Sequence, residues 1–81
     1  MEVRYSKQAL KSLLRSNKRQ LIERKINELA ESPFSANPNV RKLVGRDEYR
    51  LRVHDWRVIF CVDGSILAIE HIGPRGSVYE E

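Results

Sequence analysis

Between Tyr49 and Val62 the chain alternates with a period of two. Tyr49, Leu51 and Val53 interleave with Arg50 and Arg52; Val58, Phe60 and Val62 interleave with Arg57, Ile59 and Cys61. That period sends successive side chains to opposite faces of a sheet, and the short His54-Asp55-Trp56 segment between the runs predicts a hairpin. The apolar row requires a core to bury against, whereas the other row carries guanidiniums that cannot be buried alone. Asp63-Gly64 is a second tight-turn signal. It introduces Ser65 to Ile72, a β-branched run that predicts the last strand, stopped by Gly73-Pro74-Arg75-Gly76.

The N-terminal half changes period. Glu2 to Tyr5 alternates and predicts a short strand, and Ser6 is placed to cap the helix that follows. Ala9, Leu10, Leu13 and Leu14 form the apolar stripe of that helix, with Lys7, Lys11 and Arg15 on its far side. Ser16-Asn17 interrupts the stripe, and Asn17 with Gln20 has the spacing of a capping box for a second helix. Its stripe is Leu21, Ile22, Ile26, Leu29 and Ala30. Two helices joined by so short a break are expected to fold back on each other. Ser32-Pro33 ends the pair, because the residue before proline avoids the helical region. A loop anchored by Phe34 then leads to Arg41–Val44, which begins or approaches the next strand. The order is β-α-α-β-β-β. It predicts an α+β fold, a small antiparallel sheet with an N-terminal helical hairpin on one face, as a single domain over residues 1–81.

Composition narrows the chemistry. The chain has 81 residues, too few for two cores, and a net charge of +4. Its pI near 9.6 admits nucleic acid or an acidic protein as partner without deciding between them. From Arg4 to Glu31 there are eight Lys or Arg against three acids. A basic helical flank beside an arginine-bearing sheet makes one large positive surface; for each residue alone, a solvated face is the simpler reading. The lone Cys61 excludes an internal disulfide and a cysteine-based zinc cluster, and reads as a strand-face residue rather than a nucleophile. MEVRYSKQ does not read as a signal peptide and no run is long and apolar enough to span a membrane, so a cytoplasmic location is expected.

The sequence contains no glycine-rich phosphate loop, no HExxH and no acid cluster spaced for a metal, so neither a cofactor nor a metal is expected. His54 and His71 read as a turn residue and a strand residue. What remains is Arg50, Arg52, Arg57, Arg75 and Tyr79. Fixed cations on adjacent strands that bond bidentately suit a phosphate-rich ligand. The alternative is a wet sheet face that uses arginines for solubility and local ion pairs. Tyr79 either folds back over the same sheet or packs its ring elsewhere on the surface.

The segment YRLRVHDWRVIFCVDGSILAIEHIGPRGSVY resembles the C-terminal half of the RelE/ParE toxin superfamily. The shared pattern is a Tyr-Arg-Leu-Arg strand, an aromatic-Arg-Val-Ile-aromatic strand, an acidic-Gly turn, and a Gly-x-Arg ending followed by Val-Tyr. The N-terminal strand, helical pair and Ser-Pro agree too, so the resemblance covers nearly the whole chain. It implies a toxin of a type II toxin–antitoxin pair, most similar to RelE-type mRNA interferases. The implied activity is ribosome-dependent mRNA cleavage in the A site, by metal-free attack of a ribose 2′-hydroxyl that leaves a 2′,3′-cyclic phosphate and a 5′-hydroxyl. The implied partners are a cognate antitoxin, the ribosome with its rRNA, and mRNA, with no membrane. Arg50, Arg52, Arg57, Arg75 and Tyr79 fall on the implied catalytic positions.

The sequence departs from that pattern where RelE-type strands often carry lysine and this chain has Arg50 and Arg52. An arginine keeps its proton far above neutral pH and makes a poor general base. Either Tyr79 or a ribosomal group then moves the proton, or catalysis consists of positioning and charge stabilisation. Two further readings share the resemblance: a ParE-type DNA gyrase inhibitor without ribonuclease activity, and a non-catalytic subunit of an antitoxin-bound repressor complex.

Overall fold

The structure is a computed structural model and describes residues 1–32 and 37–76. In chain order it contains β1 (Glu2–Tyr5), α1 (Lys7–Arg15), α2 (Arg19–Glu31), β2 (Val40–Lys42), β3 (Tyr49–Val53), β4 (Trp56–Asp63) and β5 (Ile66–Pro74). One sheet holds all five strands in the order β1-β5-β4-β3-β2. Strands β2 to β5 form an antiparallel meander. The α+β class stands, with one correction: the sheet is mixed, because β1 docks parallel on the free edge of β5. The hairpins are specified by local turns, but nothing local specifies the parallel partner of a four-residue strand. Tertiary contacts supply it. The Ser6 backbone N–H donates to the Ile69 carbonyl at 2.8 Å, and its hydroxyl donates to the Glu70 carbonyl at 2.7 Å.

Ser6 also caps α1 as its position predicts, its Oγ accepting from the Ala9 N–H at 3.0 Å. The expected Asn17–Gln20 box does not form. Lys18 occupies the cap position of α2 without a side-chain cap, and Ser16 Oγ accepts from the Lys18 N–H at 2.9 Å. The short link between the helices is stabilised one residue earlier than the pattern suggests.

The core lies between the helices and one face of the sheet. Ala9 and Leu13 of α1 and Ile22, Ile26, Leu29 and Ala30 of α2 meet Leu51, Val53, Val58, Phe60, Leu67, Ile69 and Ile72. Each large side chain in this cluster contributes about 1.5–3 kcal/mol by leaving water. The α2 stripe is as expected, with Leu21 half-buried. The α1 stripe is narrower: Leu10 and Leu14 remain 44% and 57% exposed, since a nine-residue helix touches the sheet along only one row. Tyr49 stacks on Phe60 with ring centroids 5.5 Å apart, joining β3 to β4 on the core side.

Two tight turns fix the meander. His54 takes a positive φ of 53° between the paired residues Val53 and Trp56. Gly64 takes φ 61° between Asp63 and Ile66, with open space where a Cβ would stand. Glycine is favoured at Gly64 for its backbone conformation rather than for room. No helix among the described residues is long and apolar enough to cross a membrane. Phe34, expected to anchor the loop after α2, lies outside the described residues.

Candidate functional site

Because Leu51 and Val53 point into the core, Arg50 and Arg52 leave β3 on the opposite face. Because Val58 and Phe60 point inward, Arg57, Ile59 and Cys61 leave β4 on that same face, where Ile59 is buried. The register then lines the residues up. Arg50 stands opposite Ile59, and Arg52 stands directly opposite Arg57. Strand β5 places His71 opposite Ile59 and Gly73 opposite Arg57. Arg75 follows the end of β5, and its backbone N–H donates to the Asp55 carbonyl. That bond ties the exit of β5 to the β3–β4 turn, beside Arg57.

The charges feel one another. Burial, followed by Arg52, Arg57 and Arg41, holds the Arg50 guanidinium below the usual arginine range. Burial, followed by Arg52 and Arg75, does the same to Arg57, with Asp55 opposing. Arg50 is only 3% exposed. The Arg57 guanidinium is turned towards the turn carbonyls, its Nη1 lying 3.4 Å from the His54 oxygen and 3.3 Å from that of Trp56. Like charges facing each other across a ladder destabilise the protein. A sheet that gathers them has the electrostatics of an anion site: a bound phosphodiester would relieve the repulsion and accept bidentate hydrogen bonds.

Four of the five residues singled out in the sequence, Arg50, Arg52, Arg57 and Arg75, are thus brought to one region. Tyr79 lies outside the described residues. Sequence reasoning missed Arg41. Strand β2 pairs Arg41 with Arg50, extending the charged row by one strand. Its signal was the alternation of Val40 and Arg41 before Gly45, but the β2–β3 register that aims it at Arg50 depends on a loop whose geometry is not written in the sequence.

The other end of that face is acidic. Arg46 Nε meets Glu48 at 2.6 Å, and the Cys61 thiol donates to Glu70 at 3.2 Å. Arg46 and a hydrogen bond with Glu70 hold the Glu48 carboxyl below its ordinary range. Burial and the hydrogen bond to Glu70 push the Cys61 thiol up to about 11, so it is not a thiolate nucleophile at neutral pH. Among the described residues no three His, Cys, Asp or Glu side chains gather to hold a metal ion.

Comparison with known proteins connects this geometry to a family. The model for the ParE toxin of the type II toxin–antitoxin system parDE matches residues 3–79. No match to a curated protein sequence was found. Among solved structures, the chain is similar to one from the archaeal RelE–RelB complex of Pyrococcus horikoshii OT3. The TM-score is 0.79 at 29% identity, over 95% of this chain and 97% of that one. It is similar to one from the RelB–RelE antitoxin–toxin complex of Methanococcus jannaschii, with TM-score 0.71 and 26% identity over 93% of each chain. A chain of the intact E. coli RelBE toxin–antitoxin complex shares the fold, with TM-score 0.74 and 24% identity over 90% of this chain and 94% of that one. With its two helices, five-stranded sheet and match across nearly its full length, the chain belongs to the ParE toxin family of type II toxin–antitoxin systems, within the RelE/ParE superfamily.

Proposed function

We propose that this toxin cuts mRNA in the ribosomal A site and is neutralised by a cognate antitoxin. The observation that carries the reading is the shared face of Arg50, Arg52 and Arg57 opposite the helices, on which Arg50 is buried and Arg52 exposed, with Arg41 and Arg75 close enough to act on their charge. In the reaction, a ribose 2′-oxygen bonds to the adjacent phosphorus and the bond from phosphorus to the 5′-oxygen breaks. The products are a 2′,3′-cyclic phosphate and a 5′-hydroxyl. Charge builds on the phosphoryl oxygens in between, and preorganised guanidiniums stabilise that charge without reorganising. The chain itself contributes grip, in-line positioning and charge stabilisation. Tyr79, by its position in the sequence, stacks on a base or moves a proton.

Antitoxin binding is supported by the complexes of similar chains with RelB proteins from P. horikoshii and M. jannaschii. An acidic segment that covers the arginine face would neutralise the toxin by occupying the phosphate site. The test is primer extension on translating ribosomes, comparing the wild-type chain with Arg57→Ala. Codon-register cuts that vanish in the variant support the reading.

A second reading is favoured by one observation, the ParE description of the matching family model. Under it the target is DNA gyrase and no RNA is cut. Stabilised gyrase–DNA breaks with intact mRNA would support that reading in place of the first.

A further inference from the structure

The alternation of β5 breaks once, and the break brings two titratable side chains to the arginine face. Ile69 and Ile72 both belong to the core. On an unbroken strand, residues three apart leave on opposite faces. The register shift between Ile59 and Phe60 absorbs the extra residue: Ile59 stands opposite His71, Phe60 opposite Ile69, and Glu70 is left over as a bulge. Glu70 and His71 therefore share the face of Ile59. Two residues further along β5, Gly73 stands opposite Arg57 and presents no side chain. The half-buried His71 is thus the diagonal neighbour of Arg57, at a Cα separation of about 7–8 Å that long side chains span.

We infer that His71 is the general base of the cleavage reaction, receiving the 2′-hydroxyl proton on an unprotonated ring nitrogen while the arginines hold the phosphate. The inference rests on the ribonuclease reading and gives it a proton acceptor among the described residues, leaving Tyr79 to stack on a base. As the 2′-oxygen bonds to phosphorus, its proton passes to His71; the departing 5′-oxygen takes a proton from water, and the imidazolium returns its own to solvent.

Among the described residues, the groups on or beside this face are Glu2 and Arg4 from β1, Arg41 from β2, Arg50 and Arg52 from β3 with Glu48 just before it, His54 and Asp55 in the β3–β4 turn, Arg57, Cys61 and Asp63 from β4, Glu70 from β5 and Arg75 just after it. The arginines keep their protons at neutral pH. Glu48 is engaged by Arg46 at 2.6 Å, and Arg4 engages Glu2 at 2.7 Å. Cys61, pushed up to about 11, remains a thiol, and Glu70 accepts its hydrogen bond. Asp63 stands at the far end of β4, opposite Ile66. Among the described residues of the strands on this face, His71 brings an imidazole, the side chain suited to general-base work, to a place beside Arg57; His54 lies off the strands, in the β3–β4 turn, where its carbonyl is 3.4 Å from the Arg57 Nη1.

The test is single-turnover cleavage of mRNA on programmed ribosomes by wild type, His71→Gln, His71→Ala and Arg57→Ala, over a pH series spanning neutrality. Wild type is expected to speed up as pH rises, as a reaction that needs an unprotonated base does. His71→Gln is expected to lose about 10²–10⁴-fold in rate and to flatten the profile. Added imidazole should restore part of the rate to His71→Ala, which no change in folding would produce. Two results overturn the inference while leaving the ribonuclease reading intact, provided Arg57→Ala abolishes cutting. One is an unchanged rate in His71→Gln. The other is a reduced rate that keeps the wild-type pH profile, without imidazole rescue. A wild-type chain that cuts nothing overturns both.

Discussion

Arg52 and Arg57 are direct partners across the β3–β4 ladder, two like charges face to face. Arg57 carries the mark of that pairing, since Arg52 and Arg75 add to burial in lowering its hold on the proton. Both guanidiniums stay protonated through the physiological range, so their repulsion is a constant cost to the free fold with no pH dependence near neutrality.

Arg52→Gln is therefore expected to stabilise the free protein by a few tenths of a kcal/mol after solvent screening. Thermal unfolding should show a small rise in Tm, and added salt should shrink the difference. A clear fall in Tm would mean that Arg52 is held by attractive contacts instead.

Arg41 faces Arg50 from β2 and acts on its charge. Arg41→Ala is expected to weaken binding to single-stranded RNA evenly across sequences. It should also reduce the slope of log affinity against log salt by about 0.7, the loss of one phosphate contact. Fluorescence anisotropy over a salt series measures both, and an unchanged slope would remove Arg41 from the footprint.

Ser6 joins two parts of the fold, capping α1 through Ala9 and donating to the Glu70 carbonyl on β5. Ser6→Ala should cost about 1–2 kcal/mol in a urea unfolding curve, the upper part of the range for a lost cap. A loss well below that would show that the bond to β5 is exchanged for water at little cost.

The Cys61 thiol, raised to about 11 from an ordinary value of 9.0, should be alkylated about 100-fold more slowly than an unperturbed thiol near neutral pH. Glu70→Gln is expected to accelerate the reaction. The sign for stability follows from the raised value. The contribution is present in full below the unfolded thiol's value and is lost as pH rises through about 11. Alkylation rates equal to those of a free thiol would contradict the Cys61–Glu70 geometry.

Much of this fold was legible in the chain, because its hairpins are locally specified. The Tyr49–Val62 alternation gave the two faces of β3 and β4, and with them the shared face of Arg50, Arg52 and Arg57. Ser6 announced the start of α1 for the same local reason. What stayed hidden depends on distant partners. The parallel docking of β1 on β5 has no neighbouring signal, and the bulge that turns His71 towards the arginines exists only because Ile69 and Ile72 both bury. Arg41 was hidden in the same way, since its place is a matter of register rather than residue type.

The most direct test of the arginine face is end mapping of mRNA from ribosomes treated with wild type and with Arg57→Ala. The account predicts cuts at A-site codons bearing 2′,3′-cyclic phosphate and 5′-hydroxyl ends, present with wild type and absent with the variant. Intact mRNA under wild type, or equal cutting by both proteins, would contradict it.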